Sequence, residues 1–378
     1  MLLEMNSGAI ARDTLDFINV PSETGAERDG SLFFAELLRR EGFEPELDLV
    51  EDDRPNVYAR LPGTDPSAPA LLFNGHTDTI PIGQSAPPAL DGDWVVGRGA
   101  EDMKGGLVAV VHAAIALKRA GIRLKGDLWL TGVIDHETPR GRKLGPRRLI
   151  DHLRSRRINA NAIVIVEGPC AIWSASLGST IFRVRIESSR GILHTIKVPY
   201  LENPACWLGR ILTELESIER AYASAPPHPL CGPSRVNIGM ITAGDYPNRL
   251  PTPIELAGTW RWMPGTTHAH VRATLEEICA RLASESGLAI TCSFEAQREP
   301  FETPADHPIV QALLPAPVIG MGLVGDANLY ANEAKVPTVY YGPAHETAHS
   351  DDERVSVTQL VHCAQVYARA ATRFCGVA

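Results

Sequence analysis

Residues 97–120 read GRGAEDMKGGLVAVVHAAIALKRA. Glycines at 97, 99, 105 and 106 imply a tight backbone around Asp102. The Ala-rich run from 105 to 120 reads as a buried helix closed by Gly121. A carboxylate fixed in such a loop can bridge two metal ions. A phosphate cradle at the helix start is the competing idea, but the chain lacks G-x-x-x-x-G-K-[ST] and a well-placed G-x-G-x-x-G. Around this stretch lie an apolar run at 70–73, then DLWLTGVI (127–134) and NAIVIVE (161–167), all strand-like without polar alternation. The 105–120 run and a helical pattern at about 146–157 separate them, and another helical pattern at 30–41 precedes them. Unalternating strands with helices between them predict an α/β layer fold, both sheet faces covered.

The middle of the chain has a different texture. TIFRVRIE (180–187) alternates apolar and polar residues, as a strand with one wet face does. Strand-like pieces at 235–242, 254–262 and 288–295 and helical patterns at about 204–223 and 268–286 complete an α+β set. From 337 onward the α/β pattern returns, with PTVYYG as a strand and a last helix at about 354–374. The organisation expected is a catalytic domain of residues 1–177 and 296–378, interrupted by an inserted α+β domain at 178–295.

Composition narrows the function classes. The 36 Lys+Arg against 45 Asp+Glu give a net charge of -9, which argues against nucleic acid or an anionic membrane as the main partner. Seven cysteines never form C-x-x-C, so neither a disulfide framework nor a zinc ribbon is indicated. The N-terminal stretch MLLEMNSGAIARD has Glu4 where a signal peptide carries basic charge, and nothing approaches 18 apolar residues. A cytoplasmic protein is expected.

Chemistry-bearing residues gather at the carboxyl ends of the expected strands, where ligands of open α/β sheets bind. They are His76 with Asp78, Asp102, Glu137 beside Asp135 and His136, and Glu167; His349 lies in the loop before the last helix. On an extended stretch His76 and Asp78 point the same way. The imidazole can then bind a metal through one nitrogen while Asp78 accepts the proton of the other. A polar turn after a strand is the plainer account of H-x-D taken alone.

The segments NGHTDTIP, GRGAEDMKGG, the acidic site at 135–137, VEGP and GPAHETAHSDDE resemble, in order, the metal-site motifs of the M20 family of co-catalytic metallopeptidases. This family includes acetylornithine deacetylase, succinyl-diaminopimelate desuccinylase and carboxypeptidase G2. The resemblance implies a zinc-peptidase-type catalytic domain, a mixed sheet covered by helices, with an inserted α+β dimerisation or lid domain. It implies two Zn2+ ions, with Co2+ or Mn2+ as substitutes. His76, Asp102 and Glu167 would hold one ion; Asp102, Glu137 and His349 would hold the other, with Asp78 orienting His76. Two imidazoles and three carboxylates suit zinc on donor chemistry as well.

One position departs from the family. Two consecutive glutamates are usual there, a general base and then a ligand; here the sequence reads VIDHET, so His136 stands in the general-base position. Three roles stay open for it: a substituted base, part of a site with altered chemistry, or an extra ligand in a site that hydrolyses little.

In the inserted domain, His194 in SRGILHTIKVP resembles a histidine that reaches a partner subunit's active site and stabilises the oxyanion. Arg261 in WRWMPG resembles a substrate-carboxylate ligand, flanked by Trp260 and Trp262, which fit core or dimer surface equally. Asp326 in VGDANLY matches a scaffold position, and Cys170 reads as a buried structural cysteine. Together these imply a homodimeric dizinc amidohydrolase acting on an N-acyl amino acid or short peptide. Acyl transfer, amide formation or a weakly catalytic binding protein is the alternative.

Overall fold

Four parallel strands make the middle of the main sheet, in the spatial order Leu128–Val133, Leu71–His76, Ala162–Ile165, Thr338–Tyr340. Leu71 pairs with Leu128 on one side and Ala162 on the other, and His76 is level with Val133. Arg54–Leu61 and then Glu46–Glu51 extend the sheet antiparallel beyond Leu128–Val133. Every residue of Leu71–His76 and Ala162–Ile165 is buried, which is why these strands show no polar alternation. Helices cover the sheet. Gly105–Arg119 is buried along its first thirteen residues and packs against Val357–Cys375. This is a mixed sheet covered by helices, carrying an inserted second domain.

The computed structural model describes residues 3–137 and 142–378. The larger of two compact units comprises the chain up to Ser174 with Thr303–Ile319 and Gly325–Ala378; the smaller comprises Ala175–Glu302 with Gly320–Val324. The smaller unit holds a four-stranded antiparallel sheet ordered Arg235–Ala243, Ile254–Trp262, Gly178–Glu187, Ala289–Arg298. Phe182, Val184 and Ile186 from one strand and Trp260 and Trp262 from its neighbour form its core. Trp207 and Ile211 of helix Pro204–Ser224 and Val271 and Leu275 of helix His268–Ser286 cover them. Both tryptophans are fully buried, so they are core residues of this unit.

The expected elements are present with shifted ends. The strand expected at 161–167 leaves the ladder after Ile165. The last helix begins at Val357, where the Ser356 side chain accepts the Gln359 amide; Arg354–Ser356 before it is a strand paired with Trp94–Val96. Helix Ser7–Ile18, not read from the sequence, buries Ile10, Ala11, Thr14, Phe17 and Ile18. No helix among the described residues is long and apolar enough to cross a membrane.

Candidate metal centre

Because the four central strands are parallel, their carboxyl ends share one edge of the sheet. His76 is the last residue of its strand, Asp135–Glu137 follow Val133, Glu167 follows Ile165, and the loop carrying His349 follows Tyr340. Asp102 reaches the same edge from the glycine loop before helix Gly105–Arg119, where Gly99 has φ 86° and the Asp102–Met103 peptide is cis. Gly106 sits against the sheet so closely that a Cβ there would lie 1.8 Å from the Val166 carbonyl oxygen.

The donors converge. Asp102 Oδ1 is 2.9 Å from His76 Nε2, and Asp102 Oδ2 is 3.2 Å from His349 Nε2. His349 Nε2 is also 2.9 Å from Glu137 Oε1. Ligand atoms of His76, Asp102 and Glu137 lie within 4.8 Å of one another, as do those of His76, His136 and Glu167. Asp102 thus turns one oxygen to each histidine, the disposition a bridging carboxylate needs. The Oε2 atom of Glu167 is buried without a hydrogen-bond partner among the described residues, a cost that a coordinated cation removes.

The electrostatics agree. Burial and the Asp102 charge push the Glu167 carboxyl up to about 7. Hydrogen bonds to Asp102 and Glu137 push the His349 imidazole up to about 10. Burial opposes charge on His76 and Asp102, yet their mutual contact lifts the imidazole well above its usual range; with His349 it also holds the Asp102 carboxyl well below its own. Carboxylates and imidazoles clustered this way make a candidate dinuclear metal site.

Around these donors, Asp78 contacts both His76 and the 135–137 turn. His76 Nδ1 is 2.8 Å from the Asp78 carbonyl oxygen and 3.5 Å from its carboxylate. The carboxylate accepts the amides of His136 (3.1 Å) and Glu137 (2.8 Å) and the Thr24 hydroxyl. Asp78 thus meets His76 most closely through its backbone and the 135–137 turn through its side chain.

The His136 ring lies face to face with His76, centroids 4.1 Å apart and planes within 5°. Its Nδ1 is 2.7 Å from Asp326 Oδ2, and Lys143 Nζ is 3.4 Å from Asp326 Oδ1. Asp326, expected as scaffold, therefore touches the site. Sequence reasoning missed Glu353 entirely. Its Oε1 accepts the amides of Gly99, Glu101 and Asp102, and its Oε2 pairs with Arg98 at 2.6 Å. The only signal was the acidic run SDDE after His349. Glu101 accepts the amide and hydroxyl of Thr347, two residues before His349. Cys170 is half-buried, 4.0 Å from Cys363 Sγ.

His194 and Arg261 belong to the smaller unit. His194 is exposed, and its Nδ1 accepts the Ile196 amide. Arg261 is half-buried on the strand between the two core tryptophans and donates to the Gly322 carbonyl.

A family model described as peptidase family M20/M25/M40 matches residues 72–373. Over 380 residues the chain is 27% identical to a succinyl-diaminopimelate desuccinylase of Cereibacter sphaeroides, covering 94% of this chain and 96% of that one. It is 25% identical over 395 residues to the N-formyl-4-amino-5-aminomethyl-2-methylpyrimidine deformylase of Bacillus subtilis, covering 93% and 91%. Among solved structures, aminopeptidase PepT from Bacillus cereus superposes with a TM-score of 0.81 at 18% identity, covering 98% of this chain and 99% of that one. A dinuclear metal-binding peptidase of the M20 family from Bacillus subtilis gives 0.70 at 17%, covering 97% of each.

Proposed function

Since the chain belongs to peptidase family M20/M25/M40 and is a metal-dependent hydrolase, we propose that it cleaves the amide bond of an N-acyl amino acid or short peptide with two zinc ions. The single observation that carries this reading is the division of the Asp102 carboxylate between His76 and His349. His76, Asp102 and Glu167 would hold one ion, and Asp102, Glu137 and His349 the other. Bound there, the pair supplies Lewis acidity to the scissile carbonyl and acidifies the attacking water. Co2+ or Mn2+ can replace zinc in such a donor set.

The chain's own part is proton transfer and positioning. His136 takes one proton of the attacking water as its oxygen bonds to the carbonyl carbon. It returns that proton to the amide nitrogen as the C–N bond breaks, releasing a carboxylic acid and an amine, and the acid then gives up its proton to leave carboxylate and ammonium. Asp78 holds the turn that presents His136 and Glu137. In this reading Arg261 binds the substrate carboxylate, and His194 stabilises the oxyanion from the partner subunit of a homodimer. The relatives, one by name a deformylase of an N-formyl compound and the other a desuccinylase, both acyl-removing enzymes, support this substrate class.

The test is metal content together with turnover of a panel of N-acyl amino acids and dipeptides, for wild type, His136→Ala and His136→Glu. The reading expects two ions per chain, hydrolysis by wild type, and a loss of about 100-fold or more in His136→Ala. Wild type that binds both ions and hydrolyses nothing, while His136→Glu does, points instead to non-hydrolytic chemistry such as acyl transfer.

A further inference from the structure

We infer that Asp326 is a positioning residue acting through His136: it fixes the imidazole with hydrogen on Nδ1, keeps Nε2 as a lone-pair acceptor beside the donor cluster, and holds the ring out of the coordination sphere of the ion at His76. This rests on the proposed proton-carrying role of His136 and goes beyond it, because the expected scaffold role of Asp326 involved no contact with the reacting groups.

Three observations carry it. First, the His136 Nδ1 to Asp326 Oδ2 distance of 2.7 Å joins side chains only 13% and 2% exposed, and a carboxylate so placed accepts a hydrogen and thereby selects the tautomer. Second, Asp326 is itself held. Lys143 Nζ stands 3.4 Å from its other oxygen, and the same ammonium donates to the His136 carbonyl, so one cation ties the carboxylate to the backbone of the residue it orients.

Third, the stack with His76 limits what His136 can bind. An imidazole nitrogen directs its lone pair in the ring plane and holds zinc about 2.0–2.1 Å away. Rings in face-to-face contact have planes roughly 3.5 Å apart, and here they are parallel within 5°. Such planes do not meet within bonding distance of either ring, so an ion in line with the His76 Nε2 lone pair is out of line with that of His136. The proximity of His76, His136 and Glu167 donor atoms is therefore not a shared coordination sphere.

The pairing has a consequence that a structural role does not share. A glutamate at position 136 would face the Asp326 carboxylate and be repelled, whereas a histidine is held by it. The effect of Asp326→Asn should then depend on what occupies position 136.

The test compares zinc-loaded wild type, Asp326→Asn, His136→Glu and the double variant on the best substrate of the panel. Asp326→Asn in wild type should lower kcat by about 10- to 1000-fold with KM within about 3-fold and both ions retained. In the His136→Glu background the same change should leave kcat unchanged or raise it. An equal loss in both backgrounds overturns the proposal, as does loss of metal in Asp326→Asn. A second readout needs neither turnover nor a folded variant at 326. Long-range proton–nitrogen spectra of 15N-histidine-labelled, zinc-loaded wild type, with His136 assigned by its absence in His136→Gln, should show hydrogen on Nδ1 and an unmetallated Nε2. A zinc-bound Nε2 or the opposite tautomer overturns it. If no substrate of the panel turns over, the hydrolytic reading fails and these spectra alone decide the positioning role.

Discussion

Glu353 lies 251 residues beyond Asp102, yet its Oε1 accepts the Asp102 amide hydrogen at 3.1 Å. The same oxygen takes the amides of Gly99 and Glu101, and the side chain is 1% exposed against Arg98. Removing a buried partner of this kind strands a charge and three amide donors. Glu353→Ala should cost about 3–5 kcal/mol of stability and weaken metal binding by about 10- to 100-fold through the loosened Asp102 loop. Glu353→Gln keeps one acceptor oxygen and should fall between Ala and wild type. Urea unfolding and chelator competition measure the two effects. An Ala variant with undiminished metal affinity shows that the loop does not need this clamp.

The ligand assignment makes a counting prediction. His349→Ala removes one donor from one ion only, so metal analysis after dialysis should give about one ion per chain. Asp102→Ala removes the shared carboxylate and should leave none firmly held. Two ions retained in Asp102→Ala would mean that this residue bridges nothing.

Acid should expose a second buried network. Asp48 accepts two bonds from Arg148 at 2.9 Å and one from His152 at 2.7 Å. Burial raises its carboxyl, but Arg148 and His152 outweigh that and hold it below the usual carboxylate range. The folded state thus binds this proton more weakly than the unfolded chain. The stabilisation is full above the unfolded-chain value, near pH 4, and fades as pH falls through the lower folded value. Asp48→Asn should cost about 1–3 kcal/mol at neutral pH and progressively less below about pH 4. Unfolding free energies across that range decide it; a loss of constant size down to pH 2 excludes the linkage.

Two glycines in helices should respond oppositely to alanine. At Gly106 the new methyl would strike the Val166 carbonyl, a backbone atom that cannot step aside, and the cost should be about 3 kcal/mol or more. At Gly209, inside helix Pro204–Ser224, no atom lies within 4 Å of the added carbon, and alanine should stabilise by about 0.5–1 kcal/mol. Thermal melts of both variants check the pair.

The convergence of His76, Asp102, Glu137, Glu167 and His349 was legible because strand ends and glycine loops are local patterns, and parallel strands bring their carboxyl ends together. Helix Ser7–Ile18 carried a local signal too, an Asn6 cap before spaced apolar residues, and was simply unread. The partners that orient the donors were not legible. Asp326 meets His136 across 190 residues and Glu353 meets Asp102 across 251, and no periodicity marks which carboxylate closes on which loop. That the Asp78 carboxylate also accepts two backbone amides is likewise invisible to an H-x-D spacing, since those amides belong to another strand's end. Trp260 and Trp262 were readable as one face of a strand, but only the covering helices assign that face to the core.

Wide spacing of the donors has a bearing on biosynthesis. A ribosome delivers His76, Asp102, Glu137 and Glu167 first, then the whole of Ala175–Glu302, and only afterwards His349 and Glu353. Through the middle of its synthesis the chain carries three carboxylates and one imidazole with neither the last ligand nor the clamp on Asp102. Under the proposed ligand assignment, capture of the second ion would therefore be a late event, and a chain stalled within the smaller unit would lack the means to keep it. So assigned, the centre would act as a checkpoint on the length of chain already made: it would close only when the polypeptide has left the larger unit, built the smaller one and come back.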